Sequence, residues 1–323
     1  MFSGIQPTGN VHLGNLLGAL VHWVEDQHRS DSLYCVVDLH ALTFPQDPTE
    51  LRSTTLRLAQ LLLAIGLDPD VCTLFVQSHV PQHTQGAWIM ECTASVGELR
   101  RMTQFKDKSA KAQFVSGGLF TYPALMAADI LLYDATHVPV GDDQRQHVEL
   151  TRDLAERFNS RYGQTFVIPE ATYPRAGARV MDLQAPTSKM SKSAESAAGT
   201  ILVLDEPKAI ERKIKRAVTD TETEVRYDVA AKPGVSNLLS ILGAATGRTP
   251  EEAAVGYSQY GPLKTDTAEA VVELLRPIQA RYTELAEDPA ETRRLLAVGA
   301  GKAEEIAAAT LARAKEALGL LPG

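Results

Sequence analysis

The sequence predicts an α/β fold followed by an all-α region. Through residue 188, short apolar runs of strand length alternate with longer amphipathic helices, which is typical of a doubly wound, Rossmann-like parallel sheet with right-handed crossovers. Beyond residue 188 no convincing strand is found, and Ala-rich helical periodicity continues almost to the last residue. We therefore predict a Rossmann-like domain at residues 1–188 and a helical domain at residues 189–323.

Short apolar runs predict the strands. Residues 33–37 and 74–77 are almost wholly apolar, which favours buried strands, and Phe2–Ile5 favours a strand at the start of the chain. A further extended segment is predicted at 138–140. Ligands of such a sheet bind at the carboxyl ends of its strands, so side chains that follow the strands should gather there. These are Gln6, His40, Gln77 and Gly141.

Helical periodicity fills the intervals between and after these strands. A Pro/Gly turn at Gln6–Asn10 leads into a helix whose apolar residues run from Leu16 to Trp23. In the next helix, Thr49 is the expected cap and Gly66 the expected stop. The predicted helices after the first are 49–65, 82–96, 121–134, 143–159, 205–218, 235–246, 250–256, 266–286 and 288–318.

The overall composition limits the classes of partner. The 323 residues carry a net charge of −8 with a pI of about 5.5, so no global basic field attracts nucleic acid. Binding to nucleic acid then requires a local basic surface. Two basic runs could form one, and the alternative is that each is a solvated helix face of mixed charge. The candidates are Arg100, Arg101, Lys106, Lys108 and Lys111, and Lys208, Arg212, Lys213, Lys215 and Arg216.

The sequence shows neither a signal peptide nor a long apolar segment, so we expect a cytoplasmic protein without a membrane partner. The three cysteines, Cys35, Cys72 and Cys92, are widely spaced, which fits neither a disulfide framework nor a zinc site. All three stand among apolar residues, so we expect small core residues in a reducing compartment.

The most informative stretch is Lys189–Ser193, with the sequence Lys-Met-Ser-Lys-Ser. It places the ammonium groups of Lys189 and Lys192 three residues apart in a small, serine-rich loop. Lysine is a mobile point charge suited to phosphate oxygens, and Ser191 and Ser193 add hydroxyl donors. The loop is therefore predicted to wrap a polyphosphate and to stabilise charge that develops on it. The alternative is a solvated surface loop.

A second phosphate signal lies far upstream at His12–Asn15, with the sequence His-Leu-Gly-Asn. It stands at a strand–turn–helix junction, where free N–H groups and the helix dipole favour an anion. Gly14 lets a flat adenine approach the backbone, while His12 and Asn15 offer donors to the phosphates. The alternative is an ordinary glycine-rich turn followed by a helix that Asn10 caps.

Together the two motifs resemble the HIGH and KMSKS signatures of class I aminoacyl-tRNA synthetases. The opening stretch Gly4–Asn15 is similar to that of the bacterial tryptophanyl-tRNA synthetases, and three later blocks follow in family order and spacing. These blocks are Met102–Lys106, Met126–Leu131 and Pro139–Gln144. The resemblance covers nearly the whole chain, although Ala194 and Glu195 stand where many members carry Asp-Pro after the lysine loop.

The resemblance implies a pocket for the indole ring of tryptophan. Asp129 is then the acceptor of the indole N–H, and helical spacing places Met126 and Tyr122 on the same helix face. The α-amino group of the substrate is expected to meet Gln6, Gln144 or Tyr122. The full expected set is Phe2, Ile5, Gln6, His40, Tyr122, Met126, Asp129, Val138, Val140 and Gln144.

The resemblance also implies ATP, with Mg²⁺ carried by the nucleotide rather than by a metal site of the protein. Some members of the family hold an iron–sulfur cluster on cysteines near the C-terminus, but no cysteine follows Cys92, so neither that cluster nor zinc is expected. Asp142 or Asp143 is expected to accept from a ribose hydroxyl, and the Val180 backbone to touch adenine. The expected ATP-binding set is Gln6, Pro7, Thr8, Gly14, Asn15, Gly141, Asp142, Asp143, Val180, Lys189, Met190, Ser191, Lys192 and Ser193.

The implied reaction joins tryptophan to AMP and then transfers it to tRNA(Trp), in a homodimer whose C-terminal helices read the anticodon. The carboxylate nucleophile is already ionised at neutral pH, so catalysis needs positioning and charge stabilisation rather than a general base. The expected catalytic residues are His12, Asn15, Lys108, Lys189 and Lys192, with Lys108 assigned by resemblance alone.

Three other functions fit part of the sequence. A tyrosyl-specific class I synthetase shares the fold and both motifs, but Met126–Asp129 argues against it. A nucleotidyltransferase, such as one acting on pantetheine, shares the upstream motif but is about half as long and lacks the helical extension. A non-catalytic paralogue that binds tRNA or tryptophan should carry a damaged motif, and both motifs here are intact.

Overall fold

The computed structural model describes residues 1–111, 113–141, 144–172, 179–191 and 197–321. Three strands form a parallel sheet in the order β1 (Phe2–Ile5), β2 (Leu33–Val36) and β3 (Thr73–Val76). Phe2 pairs with Leu33, and Leu33 pairs with Thr73. The predicted parallel α/β architecture is therefore confirmed, and β2 is buried along its whole length.

A second parallel pair consists of β4 (His137–Pro139) and β5 (Glu170–Thr172), and β4 lies beside β1. The sequence predicts β4 but not β5. Strand β5 has only three residues, Glu-Ala-Thr, so it offers no apolar run that could mark it as a strand. None of the three is fully buried. Its partner strand, rather than its own side chains, determines its conformation.

The helices of the N-terminal part alternate with the strands, as predicted. The first is a short turn, α1, whose chain continues through a π-helical segment, Leu16–Leu20, into α2. The bounds are α1 Leu13–Asn15, α2 Val21–Asp26, α3 Asp38–Ala41, α4 Pro48–Ile65, α5 Gln82–Thr93, α6 Val96–Arg101, α7 Thr103–Lys111, α8 Gly117–Leu131 and α9 Arg145–Tyr162.

Two predicted boundaries are wrong for identifiable reasons. Helix α4 is capped by Asp47, whose carboxylate accepts from the N–H groups of Thr49 and Glu50, because Pro48 occupies the first helical position. The predicted helix 82–96 is interrupted after α5, since Ser95 starts α6 with a reciprocal capping box. The predicted stop at Gly66 is confirmed, with φ at +124°.

Among the described residues after 188, the chain forms no strand pair of three or more residues and is mainly helical, which confirms the all-α prediction. Its α-helices are α10 Pro207–Lys215, α11 Pro233–Thr246, α12 Pro250–Ala254, α13 Tyr260–Glu287 and α14 Pro289–Ala317. None of the helices in the described part of the chain is both long enough and apolar enough to cross a bilayer.

The last helix, α14, returns to the parallel sheet and packs on β3 and α5. Gly299 makes the close approach to β3, because a Cβ at this position would collide with the Leu74 carbonyl. Residues of α14 such as Ala303 and Ala307 are completely buried in the same core as α5 and α8. The C-terminal helices thus pack directly on the α/β core, and the boundary at residue 188 stays a prediction.

The cysteines do not all behave as expected. Cys35 and Cys72 are buried, as predicted, but Cys92 is exposed. Cys92 lies near the end of α5, and Met90 and Thr93 take the inward positions of that turn, so the apolar neighbours in sequence face a different direction.

Candidate active site

The three parallel strands bring their carboxyl ends to one edge of the sheet. Gln6 directly follows β1, His40 lies in α3 just after β2, and Gln77 directly follows β3. The Leu39 N–H donates to Gln77 Oε1 over 3.1 Å, which ties the ends of β2 and β3 together. The predicted placement of these three residues after the carboxyl ends of the strands is confirmed, and Gly141 follows β4, which ends at Pro139.

The upstream motif lies against the chain that follows the lysine loop. The Leu13 N–H donates to the Ile201 carbonyl over 2.8 Å, and the Val203 N–H donates to the Val11 carbonyl over 3.0 Å. His12 forms an antiparallel bridge with Leu202 between these two bonds. The start of α1 is therefore held by backbone hydrogen bonds to a segment far downstream in the sequence, Ile201 to Val203.

The lysine loop itself reaches the same place. A Cβ added at Gly14 would lie 3.6 Å from Met190 Cβ, so the two motifs lie side by side with room for little more than a methyl group between these residues. The Met190 N–H donates to the Val180 carbonyl over 3.1 Å, and the Thr200 hydroxyl donates to the Ser191 carbonyl over 3.2 Å. Lys189 is exposed, whereas Met190 is buried and anchors the loop.

His12 and Asn15 orient each other at the start of α1. His12 Nδ1 accepts from the Asn15 backbone N–H, and Asn15 Oδ1 accepts from the His12 backbone N–H, both over 3.2 Å. This capping box puts the proton of a neutral His12 ring on Nε2 and leaves the amide N–H groups of Asn15 as donors. His12, not Asn10, is the helix cap.

Asp129 is buried at the end of α8 and accepts three hydrogen bonds, all of them from side chains. Gln77 Nε2 donates to Oδ1 over 2.7 Å, and His83 Nδ1 approaches the same oxygen at 2.6 Å. His40 Nε2 approaches Oδ2 at 2.7 Å. Asp129 itself is only 2% exposed.

Electrostatics keep this carboxylate ionised. Burial raises the pKa of Asp129, and its place two residues before the end of α8 puts it at the negative end of the helix dipole. The hydrogen bonds and electrostatic attraction of His40 and His83 outweigh the effect of burial, so the pKa of Asp129 lies well below its ordinary value. A carboxylate that stays charged can accept but not donate.

Tyr122 lies on the same helix, close to His40. The two rings meet edge to face with centroids 6.2 Å apart, and the Tyr122 hydroxyl pairs with His147 Nε2 at 2.8 Å. Burial raises the pKa of Tyr122 to about 12. Lys108 Nζ stands 5.1 Å from the Tyr122 ring centre, which brings this predicted catalytic lysine to the expected tryptophan site.

The other predicted residues fall into three groups. Phe2, Val138 and Val140 are buried, and Phe2 stacks on Tyr133 with ring centres 5.4 Å apart. Pro7 is buried as well. The residues that are partly or fully exposed are Ile5, Gln6, Thr8, Met126, Gly141 and Gln144. Asp142, Asp143, Lys192 and Ser193 lie outside the described residues.

Sequence reasoning missed His83, Tyr133 and His147. His83 lies on α5 and is completely buried, and its Nε2 pairs with the Tyr133 hydroxyl at 2.8 Å. Tyr133 stands four residues after Asp129, a spacing that could have marked it as a neighbour. His83 and His147 carried no such signal, because an isolated histidine on the inward face of a helix is most often a core residue.

Comparison with known proteins identifies the family. The family described as tRNA synthetases class I (W and Y) matches residues 1–276. The tryptophan–tRNA ligase of Leifsonia xyli subsp. xyli is 57% identical, over 99% of this chain and 97% of that protein. The chain belongs to the class I tRNA synthetases of the tryptophanyl and tyrosyl group. The family resemblance seen in the sequence is confirmed.

Solved structures of this family share the fold. The tryptophanyl-tRNA synthetase of Mycoplasma pneumoniae superposes with a TM-score of 0.92 at 36% identity, covering 99% of this chain and 97% of that one. The tryptophanyl-tRNA synthetase of Campylobacter jejuni in complex with ADP and tryptophan gives 0.86 at 34% identity, covering 99% of each chain. Among the described residues of this synthetase, no cluster of three or more His, Cys, Asp or Glu side chains is placed to hold a metal ion.

Proposed function

We propose that this chain activates L-tryptophan with ATP and transfers it to tRNA(Trp). The observation that carries the proposal is that the two phosphate motifs lie side by side, Gly14 next to Met190, near the edge of the sheet whose His40 and Gln77 bind Asp129. Relatives that match over nearly their full length are named tryptophan–tRNA ligases, which favours tryptophan over tyrosine as the amino acid.

The indole ring is recognised by Asp129. The indole N–H is a donor only, and an ionised, buried carboxylate is its complement. Phenylalanine has no such donor and leaves an acceptor position of the buried carboxylate unfilled, a penalty that reaches ~10⁴-fold in sites built on one specific hydrogen bond. Discrimination of this size needs no editing domain.

The activation step is an in-line displacement at phosphorus. A tryptophan carboxylate oxygen attacks the α-phosphorus of MgATP, the bond to the bridging oxygen breaks, and magnesium pyrophosphate leaves. No proton moves, so the residues act by position and charge. Lys189 and Lys192 neutralise the leaving pyrophosphate together with Lys108, while His12 Nε2–H and the Asn15 amide donate to phosphate oxygens.

The transfer step uses the adenylate as an acyl donor. A hydroxyl of the terminal adenosine of tRNA attacks the tryptophanyl carbonyl, and AMP leaves with the bonding electron pair while the hydroxyl loses its proton. The helices α11 to α14 supply the surface that meets the anticodon, in a homodimer that works in the cytoplasm, where tRNA is found. Mg²⁺ enters with ATP as part of the substrate.

The direct test is amino-acid-dependent exchange of pyrophosphate into ATP, followed by aminoacylation of bulk bacterial tRNA. We expect exchange with tryptophan that exceeds exchange with tyrosine and phenylalanine by at least about 10³-fold in kcat/KM. Stronger exchange with tyrosine would favour the tyrosyl alternative. Absence of exchange with any amino acid, in protein that binds tryptophan, would favour a non-catalytic role.

A further inference from the structure

We infer that His83 and Tyr133 are positioning residues that make Asp129 selective for a ring N–H. This inference rests on the proposed function. It assigns a role to the residues on the Oδ1 side of Asp129, whereas His40 meets Oδ2. The evidence is a continuous chain of hydrogen bonds from the Tyr133 hydroxyl through the His83 ring to Asp129 Oδ1.

The chain of bonds fixes the tautomer of His83. Because Asp129 is ionised, the ring atom that faces it, Nδ1, must carry a proton. The opposite ring atom, Nε2, then accepts, and the Tyr133 hydroxyl is placed at 2.8 Å to donate to it. Burial raises the pKa of Tyr133 strongly, so this hydroxyl keeps the proton that it donates.

The neighbouring donor is fixed in a similar way. Gln77 can present either end of its amide to Asp129, but its Oε1 accepts from the Leu39 N–H. The Nε2 group is therefore the end that faces the carboxylate. Both donors to Oδ1 are thus oriented by a second bond of their own, one from a backbone group and one from Tyr133.

Within the described parts of the chain, this arrangement leaves one acceptor position on the carboxylate. A carboxylate offers about four lone-pair sites, two on each oxygen. Gln77 and His83 fill both sites of Oδ1, and His40 fills one of Oδ2. The fourth site lies on Oδ2, the oxygen on the side of His40 and Tyr122, where it can take one N–H of a ligand.

The selectivity follows from what happens when a donor is lost. Without the Nδ1–H of His83, the carboxylate can rotate to seek another partner or take up a proton. Either change moves or removes the acceptor at Oδ2, and only a ligand that uses this acceptor is affected. An amino acid with the same ring shape but no ring N–H should bind about as well as before.

The experiment compares L-tryptophan with β-(3-benzothienyl)-L-alanine, in which sulfur replaces the ring N–H. KM values for both are measured by pyrophosphate exchange in the wild type and in Tyr133→Phe, His83→Leu and His83→Asn. We expect the wild type to prefer tryptophan by at least about 100-fold. His83→Leu should reduce this preference at least tenfold, and Tyr133→Phe should reduce it by about three- to tenfold. In both variants the loss should fall on tryptophan alone.

Two controls separate positioning from general damage. His83→Asn keeps an N–H donor near the place of Nδ1 and should restore most of the preference. Tyr34→Phe also removes one buried hydroxyl, which donates to the Trp23 carbonyl on the other face of the sheet, and should leave the preference unchanged.

The outcomes distinguish the inference from the function on which it rests. An unchanged preference in Tyr133→Phe and His83→Leu, or an equal loss for both amino acids, would overturn the inference while tryptophan activation by the wild type stands. Tyr133→Phe removes a single oxygen atom, so it decides the question even if His83→Leu fails to fold. Absence of tryptophan activation in the wild type would instead count against the proposed function.

Discussion

At the scale of single residues, Asp129 shows how a buried charge is maintained. Burying an ion carries an effective penalty of several kcal/mol. Three hydrogen bonds to a charged group contribute about 1.5–3 kcal/mol each, so together they can offset this burial penalty. The carboxylate is therefore stable as an ion only while its donors stay in place, and this dependence makes it sensitive to what occupies its remaining acceptor site.

The sequence allowed Asp129 to be proposed and placed His40 and Gln77 at the same edge of the sheet, but it did not predict the hydrogen bonds that join them or the part played by His83. Asp129, Met126 and Tyr122 share one helix, and helical spacing relates residues within a single element. Gln77 and His83 belong to other elements, 52 and 46 residues away, and only the folded chain brings them to the carboxylate. Long-range polar networks of this kind leave no periodic trace in a sequence.

Gly14 provides a prediction about the place where the two motifs lie side by side. In Gly14→Ala the added methyl would lie 3.1 Å from His12 Nδ1 and 3.6 Å from Met190 Cβ, and so crowd the surface beside which we place adenine. We expect the KM for ATP to rise at least about tenfold, which corresponds to about 1.4 kcal/mol, with little change in the KM for tryptophan. Pyrophosphate exchange measures both values.

A matched control is Gly261→Ala, because nothing lies within 4 Å of a Cβ at that position. It should leave both KM values unchanged. If Gly14→Ala also leaves the KM for ATP unchanged, adenine does not lie against this glycine. If it raises both KM values equally, the methyl disturbs the whole fold rather than the nucleotide site.

At the scale of elements, α10 shows how one basic run divides into two roles. Ile210 and Ile214 bury one side of the helix, and Lys213 turns inward to Asp205 and the Thr200 carbonyl, with distances of 2.6 and 2.7 Å. This tie fixes α10 to the segment that pairs with His12. The sequence grouped Lys213 with the candidate RNA-binding residues, but its side chain is structural. The exposed members of the run are Lys208, Arg212, Lys215 and Arg216.

We predict that the exposed side of α10 binds tRNA phosphates. On a chain with a net charge of −8, such a local surface is what attracts a polyanion. The triple variant K208Q/R212Q/K215Q should raise the KM for tRNA and lower the salt dependence of tRNA binding, with a slope smaller by about 2–3. Pyrophosphate exchange does not involve tRNA and should be unaffected.

The control for charge alone is R29Q/R52Q/R57Q, which removes three exposed arginines from the region of α2 and α4. Its effects on the KM for tRNA and on the salt slope should be smaller than those of the α10 triple variant. Equal effects of the two triple variants would mean that overall charge, rather than α10, governs tRNA binding.

At the scale of the whole molecule, two C-terminal segments return to the N-terminal α/β part. The segment after the lysine loop pairs with the residues before and within α1, and α14 packs on β3. The sequence predicted the parallel sheet and the helical region, because periodicity and apolar runs report on single elements. It did not predict that α14 covers the sheet, since the small residues on α14 that permit close packing look like ordinary helix formers.

A pair of glycines on α14 tests this packing. Gly299→Ala places a methyl against the Leu74 carbonyl, a backbone atom that cannot swing aside. We expect a loss of about 2 kcal/mol or more in the free energy of unfolding. Gly301→Ala on the same helix meets no atom within 4 Å and should stabilise the protein by up to about 1 kcal/mol. Urea denaturation of both variants measures the difference, and similar values for the two would contradict the observed packing of α14.

The most direct measurement is a crystal structure with a non-hydrolysable analogue of tryptophanyl-adenylate. We predict that the adenosine lies beside Gly14 and the Val180–Met190 pair, and that the indole nitrogen lies within hydrogen-bond distance of Asp129 Oδ2. An analogue bound elsewhere, or an indole nitrogen turned away from Asp129, would contradict the account.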